Sequence, residues 1–211
     1  MKLPRIPALL LGLSAAAFLG AFPGHAQVLN NTSFEADLLG ATTANSWTAG
    51  AATSLLIVNG QGVTAGSQAL QLTIANDGNY TGRLEQFRSE SNLLAAGFVS
   101  GQQYVFSGDL FISQLGSGTS LRPGIFLDNG GSLFGVNFDS TTTSFAFSFI
   151  YNGGFAIFKP IEGGAYGTDF IARLDNLQVT PIPEPASAVA LIGIAAAGFA
   201  GSRRSRRRVT A

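Results

Sequence analysis

The stretch Ser144-Phe145-Ala146-Phe147-Ser148-Phe149 alternates phenylalanine with serine or alanine along its whole length. Successive side chains of a β-strand point to opposite faces, so the three phenylalanines would share one face and the small residues the other. This pattern predicts a half-buried strand whose phenylalanines point into a core while its small residues face solvent. The run from Tyr104 to Phe111 alternates in the same way, although less strictly.

The rest of residues 27–180 has the same texture, because short apolar runs are broken by Gly, Asn, Asp and Ser. About ten strands in about 155 residues predict an all-β, two-sheet jelly-roll sandwich. Ser91–Val99 reads as a helix or a long connection, and Asn152-Gly153-Gly154 as a tight hairpin turn. The predicted strands are Val28–Asn30, Ser54–Val58, Ala69–Ala75, Gly82–Arg88, Gln103–Ile112, Arg122–Leu127, Leu133–Phe138, Ser144–Tyr151, Gly154–Phe158 and Asp169–Val179.

Residues 1–26 have the organisation of a secretory signal peptide, which predicts a signal helix before the domain. Lys2 and Arg5 supply the positive charge, and the apolar stretch Ile6–Phe22 follows. Gly24-His25-Ala26 places small residues at the cleavage positions, so we expect cleavage before Gln27.

Residues 181–211 form a tail with three parts. Residues 181–185 are a hinge, Pro181-Ile182-Pro183-Glu184-Pro185, whose prolines cannot enter a helix interior. Residues 186–201 are apolar and predict a short transmembrane helix, although they fall below the ~20 residues of a comfortable span. Residues 202–211 are basic, and positive charge stays on the cytoplasmic side of a membrane. The basic residues of the tail are Arg203, Arg204, Arg206, Arg207 and Arg208.

This tail resembles the PEP-CTERM sorting signal of Gram-negative bacteria, with Pro183, Glu184 and Pro185 as its motif. The resemblance implies an exported protein that is tethered to the inner membrane and then cut near this motif by an exosortase. It also implies a final location at the cell surface or outside the cell. The alternative is an ordinary single-pass anchor that begins with prolines.

Charge and composition limit the chemistry. Residues 27–180 hold five basic and eleven acidic residues, a net charge of −6, which argues against nucleic-acid binding. There is no cysteine, and the only histidine, His25, lies in the predicted signal peptide. Ser-His-Asp and Cys-His catalysis and His-ligated zinc are therefore excluded for the mature chain, and we expect no enzymatic activity. Two carboxylate pairs, Glu85 with Glu90 and Asp109 with Asp128, are candidates for glycoside hydrolysis, but neither lies in a motif.

The two ends of the domain resemble the galactose-binding-like jelly roll of many carbohydrate-binding modules. The matching segments are Val28-Leu29-Asn30-Asn31-Thr32-Ser33-Phe34-Glu35 and then Trp47 at the start, Gly66-Ser67-Gln68-Ala69-Leu70-Gln71-Leu72 after a gap, and Ile171-Ala172-Arg173-Leu174-Asp175-Asn176-Leu177-Gln178-Val179 at the end. The resemblance implies a structural calcium ion held by Glu35 and Asp175, with carbonyl oxygens from Gly66-Ser67. Oxygen ligands suit calcium. The alternative is that the two carboxylates cap strand ends or pair with Arg173.

A sugar site needs aromatic side chains beside polar groups. Among the candidates, Trp47 and Tyr104 are predicted to be core residues, and the sequence predicts no environment for Tyr151. Tyr80 and Tyr166 lie in polar loops where they would be exposed. Tyr80 and Tyr166 are therefore the predicted ligand-binding residues. The first functional hypothesis is a non-enzymatic surface or matrix protein associated with exopolysaccharide. The alternatives are a carbohydrate-binding module that uses loop aromatics, and a small glycan-active enzyme.

Overall fold

The computed structural model describes residues 28–182; the predicted signal helix, transmembrane run and basic tail lie outside them. The described elements are β1 (Thr48–Ala49), β2 (Thr53–Asn59), β3 (Gln68–Ile74), β4 (Gly82–Arg88), α1 (Glu90–Ala95), β5 (Gln103–Gln114), β6 (Ser120–Leu127), β7 (Gly131–Phe134), β8 (Ser144–Ile150), β9 (Ala156–Gly164) and β10 (Phe170–Pro181).

The ten strands form two five-stranded antiparallel sheets. Sheet A has the order β1-β4-β9-β6-β7, and sheet B has the order β2-β3-β10-β5-β8. Consecutive strands often lie in different sheets, which is the winding of a jelly roll. The predicted all-β, two-sheet sandwich is confirmed.

Phenylalanine rings join the two sheets. Phe106 of β5 lies 5.2 Å from Phe145 of β8 and 5.5 Å from Phe158 of β9, measured between ring centroids. Phe149 of β8 also reaches Phe158, at 6.1 Å. Edge-on contacts at these separations are favourable because the positive ring edge meets the negative ring face. Phe145 and Phe149 are buried while Ser144, Ala146 and Ser148 are exposed, so the alternation read from the sequence is confirmed.

Two local predictions are wrong. Val28–Asn30 is not a strand, because the side chain of Gln86 satisfies its backbone: Asn30 N–H donates to Gln86 Oε1 at 2.8 Å, and Gln86 Nε2 donates to the Asn30 carbonyl at 3.1 Å. Residues 152–154 do not close a hairpin, because they connect β8 of sheet B to β9 of sheet A. The predicted helix is present as α1, where Ser89 Oγ accepts from the Asn92 N–H at 3.3 Å.

The last strand runs slightly past the predicted end of the domain. β10 includes Pro181, and the Ile182 N–H donates to the Gln103 carbonyl at 2.9 Å. The first two residues of the tail are therefore held by β5, since Pro181 pairs with Tyr104 and Ile182 bonds to Gln103. Within residues 28–182 no helix is both long and apolar enough to cross a membrane.

Candidate functional site

The outer face of sheet A carries two rows of side chains that the strand register aligns. Phe87 of β4 lies opposite Ile157 of β9, which lies opposite Phe126 of β6. One end of the same strands holds charges, where Arg83 lies opposite Glu162 and Glu162 opposite Arg122. We define the outer face of sheet A by the residues Arg83, Glu85, Phe87, Arg122, Phe126, Phe134, Phe155, Ile157, Lys159 and Glu162.

The apolar row is built around Phe155, the residue before β9. Its ring centroid lies 5.5 Å from that of Phe87 and 5.8 Å from that of Phe126, and it stacks on Phe126 with an interplanar angle of 28°. Phe87, on the second strand of sheet A, is 57% exposed, whereas Phe126 and Phe155 are partly exposed. Contiguous aromatic surface that stays in contact with water marks interaction sites, because solvation of apolar rings is unfavourable.

The charged row is incompletely paired. Lys159 Nζ contacts Glu162 Oε1 at 2.9 Å, whereas Glu162 Oε2 has no hydrogen-bond partner. That oxygen is buried, and a side chain on Gly124 would come within 3.0 Å of the Phe134 ring and 3.2 Å of the oxygen, so the glycine permits their close packing. The Arg122 guanidinium lies 4.0 Å from the centre of the Phe134 ring, a cation–π contact. An aromatic ring and charged side chains therefore lie side by side at this end of the face.

The structure brings the two predicted ligand-binding tyrosines together. Tyr80 and Tyr166 form an edge-to-face pair with ring centroids 6.0 Å apart, and Tyr80 is 66% exposed. Burial raises the pKa of Tyr166, and the nearby Tyr80 and Asp77 raise it further. Trp47, Tyr104 and Tyr151 are buried, as expected for Trp47 and Tyr104. The ligand-binding role of the tyrosine pair stays a prediction.

Glu35 holds the β2–β3 loop, residues 60–67. Its Oε1 accepts the N–H groups of Ser67 and Gln68, both at 2.7 Å, and its Oε2 accepts the Ser67 hydroxyl at 2.8 Å. These donors, the Ser67 backbone first, lower the pKa of Glu35. Gly66 has a φ of +79°, and a side chain there would come within 2.5 Å of Glu35 Oε1. Glycine is therefore required for the close approach.

Asp175 holds the same loop from β10. Its Oδ2 accepts the N–H groups of Thr64 at 2.6 Å and Ala65 at 2.7 Å, and its Oδ1 accepts the Asn176 N–H at 2.7 Å. Asp109 Oδ2 accepts the Thr64 hydroxyl at 2.6 Å. We call Glu35, Asp109, Asp175 and the loop they hold the loop clamp. Asp175 is fully buried and each of its oxygens has a donor, so its charge is stabilised by hydrogen bonds.

Carboxylate oxygens at Glu35 and Asp175 are of the type that calcium prefers. The Gly66-Ser67 region, however, turns N–H groups towards Glu35, and a cation would have to displace these donors. Within residues 28–182 no group of three or more His, Cys, Asp or Glu side chains is placed to hold a metal ion. Arg173, the alternative partner, donates instead to Gln71 Oε1 and to the Gln61 carbonyl. The calcium site stays a prediction.

The candidate catalytic carboxylates have separate local roles. Glu85 Oε2 pairs with Arg83 Nε at 3.3 Å, and Glu90 Oε1 accepts the Gly154 N–H at 3.1 Å. Asp109 belongs to the loop clamp of sheet B, whereas Asp128 lies in the β6–β7 turn of sheet A. In these positions, the two carboxylates of each pair share no contact that would let them act together as general acid and base.

Comparison with protein families identifies the tail. Residues 181–205 match the model of the PEP-CTERM protein-sorting motif. This match confirms the resemblance found in the sequence and implies exosortase-dependent export. The motif residues Pro183, Glu184 and Pro185 lie outside the described residues. A search of curated proteins finds no match.

Comparison with solved structures confirms the fold of the body. An exo-beta-agarase superimposes with a TM-score of 0.53 at 13% identity, over 75% of this chain and 25% of that one. Tailspike protein 4 of bacteriophage CBA120 gives 0.50 at 12% identity, over 74% of this chain and 21% of that one. The xylan-binding CBM22-1 domain of Paenibacillus barcinonensis Xyn10C gives 0.46 at 15% identity, over 69% and 91%. The body is similar in fold to a part of each of the first two proteins, and the chain spans about a quarter or less of their length.

The sequence prediction names tryptophan and tyrosine as sugar-stacking residues and does not include the phenylalanines of sheet A. A usable signal was present in β4. Arg83, Glu85 and Phe87 are two residues apart, so a strand places all three on one face. Packing into the core does not explain a phenylalanine on the face of a strand that otherwise carries charged side chains.

Proposed function

We propose that this chain is an exported, non-enzymatic protein that binds polysaccharide through the outer face of sheet A. Sugars have apolar C–H faces and hydroxyl edges, so they bind where aromatic rings adjoin hydrogen-bonding groups. The aligned rows of this face offer both. The observation that carries the proposal is the contiguous group Phe87, Phe155 and Phe126 on a face that also carries the side chains of Arg83, Arg122 and Lys159.

Export supports a ligand outside the cell. The sorting motif implies processing by an exosortase. We propose that residues 186–201 tether the chain to the inner membrane until cleavage, and that the released body then remains at the cell surface or in the matrix. The ligand we propose there is exopolysaccharide, to which an extracellular domain is directly exposed.

Binding without catalysis is supported by the side chains that are present. The chain has no cysteine, and its one histidine is His25, so neither could act in residues 28–182. Among the described carboxylates, Glu85 pairs with an arginine, Glu90 accepts a backbone N–H and Asp109 belongs to the loop clamp. A retaining or inverting glycosidase needs two carboxyl groups about 5–10 Å apart across one sugar site.

The Tyr80–Tyr166 pair supports a second, smaller binding place at the rim of the loops. Its edge-to-face geometry leaves Tyr80 exposed, and Asp77 beside it is anchored by the Asn79 N–H at 2.9 Å. The two tyrosines lie on other segments of the chain than the phenylalanines of sheet A, and their rings carry hydroxyl groups that phenylalanine lacks. We propose that it contributes secondary contacts to the same polysaccharide.

The test is affinity electrophoresis and array binding of the full chain, purified in mild detergent, against acidic and neutral polysaccharides. Phe87→Ala should raise the dissociation constant at least tenfold, because an exposed stacking ring is lost. Phe111→Ala is the matched control, since Phe111 lies in β5 of sheet B, on its outer side. Equal loss in both variants, or binding that survives Phe87→Ala but not Tyr80→Ala, would contradict the assignment to sheet A.

The export part has its own test. Mass spectrometry of the native protein should find a C-terminus near Pro183-Glu184-Pro185. A C-terminus at Ala211 in the mature surface protein would contradict cleavage.

A further inference from the structure

The four outer edges of the two sheets are not alike. Natural sheets protect their edges, because an open edge presents unpaired N–H and C=O groups to other chains. In sheet A the edges are short: β1 has two residues and β7 has four. In sheet B the edge strand β2 is covered, since Gly40 N–H donates to the Ile57 carbonyl and Ile57 N–H donates to the Ala41 carbonyl, both at 2.9 Å.

β8, the other edge of sheet B, lacks these protections. All seven of its residues pair with β5 in unbroken register, without a bulge. Among residues 28–182, no strand pairs with its other side. No charged residue occurs between Asp139 and Lys159, and β8 contains no proline. This edge is therefore long, regular and uncharged.

The sequence of β8 is also self-complementary. Ser144-Phe145-Ala146-Phe147-Ser148 reads the same in both directions, with Ala146 at its centre. Antiparallel pairing with an identical strand about a two-fold axis would place Ser144 opposite Ser148 of the other copy, and Phe145 opposite Phe147. The outward side chains of Ser144, Ala146 and Ser148 are small and that of Ile150 is apolar, so no like charges would meet. A two-fold contact of this kind is isologous and closes on itself.

We propose that two copies of this chain associate by antiparallel pairing of β8 with β8, which joins the two B sheets into one continuous sheet. The partner is a second copy because the strand matches itself in length, charge and sequence. The proposal does not depend on polysaccharide binding, because sheet A takes no part in the contact.

Cysteine cross-linking tests the register in the full chain within the cell envelope. The chain has no cysteine, so Ala146→Cys introduces the only thiol. At the two-fold axis, opposed Cα atoms of an antiparallel pair lie about 4.5–5.5 Å apart, within the range a disulfide can bridge. Mild oxidation should give a dimer band that disappears on reduction. Ser54→Cys, on the covered edge strand β2, is the matched control and should stay monomeric.

Charge substitutions in the Ala146→Cys chain provide the second arm. Ser144→Lys with Ser148→Lys would place like charges opposite each other and should lower the cross-linked fraction at least tenfold. Ser144→Lys with Ser148→Glu would place opposite charges together and should restore cross-linking, which separates loss of pairing from loss of folding. The proposal is overturned if Ala146→Cys yields no dimer, if Ser54→Cys cross-links equally, or if the Lys/Lys and Lys/Glu chains behave alike.

Discussion

The loop clamp and the outer face of sheet A both collect charged side chains, but they use them differently. In the clamp, each oxygen of Asp175 and Glu35 accepts an N–H or O–H donor from its own chain. On sheet A, Phe87 is 57% exposed and the Arg83 side chain is 50% exposed. Satisfied polar groups stabilise a fold, whereas exposed rings beside accessible charged groups are available to a ligand. The clamp should therefore govern stability and the face should govern binding.

The largest effect should come from Asp175→Asn in the clamp. Asparagine retains the shape but loses the charge, and its NH₂ group would oppose loop N–H donors, which should cost about 2–3 kcal/mol. For a domain of this size the melting temperature should fall by about 5–10 °C. Thermal unfolding measures this, with Asp128→Asn in an exposed turn as the control. An unchanged melting temperature would contradict the stabilising role of Asp175. A fall in polysaccharide affinity without a fall in melting temperature would contradict the assignment of stability to the clamp and of binding to sheet A.

The calcium hypothesis concerns the same carboxylates. An ion bound by Glu35 and Asp175 should stabilise the fold by about 2.7 kcal/mol when its concentration is a hundred times the dissociation constant. Melting in excess calcium and then in excess EDTA measures the difference, and Asp175→Asn should abolish it. Identical melting temperatures in calcium and in EDTA would show that hydrogen bonds hold the loop without a metal ion.

On sheet A, Phe155→Ala should lower polysaccharide affinity about tenfold, equivalent to about 1.4 kcal/mol. The reason is that Phe155 contacts both Phe87 and Phe126 and keeps their rings contiguous. Titration calorimetry measures the affinity, and thermal unfolding should show a much smaller loss of stability than Asp175→Asn. A variant that melts early but binds normally would assign Phe155 to the core.

A smaller effect should follow from pH at Glu35. Its pKa is lowered in the folded protein, chiefly by the Ser67 N–H, so its stabilisation is present above the unfolded pKa. That stabilisation is lost as pH falls through the folded pKa. Glu35→Gln cannot titrate, so wild type should melt above the variant at pH 7, and the gap should narrow below the unfolded glutamate pKa of about 4.3 and close as pH falls through the lower folded pKa. A gap that is independent of pH would show that Glu35 acts through shape rather than charge.

The smallest effect should come from Tyr80→Ala, which removes the exposed member of the tyrosine pair. Affinity for polysaccharide should fall about two- to threefold, with no change in melting temperature because Tyr80 is mostly exposed. The same titration measures it, with Tyr80→Phe as the control that keeps the ring. A loss as large as that of Phe155→Ala would place the main site at the rim.

The sequence predicted the sandwich because alternation and turn residues are local signals, as in β8 and β4. It missed the irregular segment at residues 28–30, since that depends on Gln86, which is distant in sequence. Tyr80 and Tyr166 were named as exposed loop residues, but their contact depends on tertiary packing. Strand register brings Phe87, Phe126 and Phe155 together from three distant parts of the chain. Register between non-consecutive strands cannot be read from a single sequence.

The most direct test of the central claim is NMR of the full chain carrying ¹³C-labelled phenylalanine rings, titrated with the polysaccharide that binds best. Assignments come from single Phe→Leu substitutions. The ring signals of Phe87, Phe126 and Phe155 should shift, while that of Phe111 in sheet B should stay in place. Shifts confined to Phe111, or binding that leaves all three sheet A rings unchanged, would contradict binding at the outer face of sheet A.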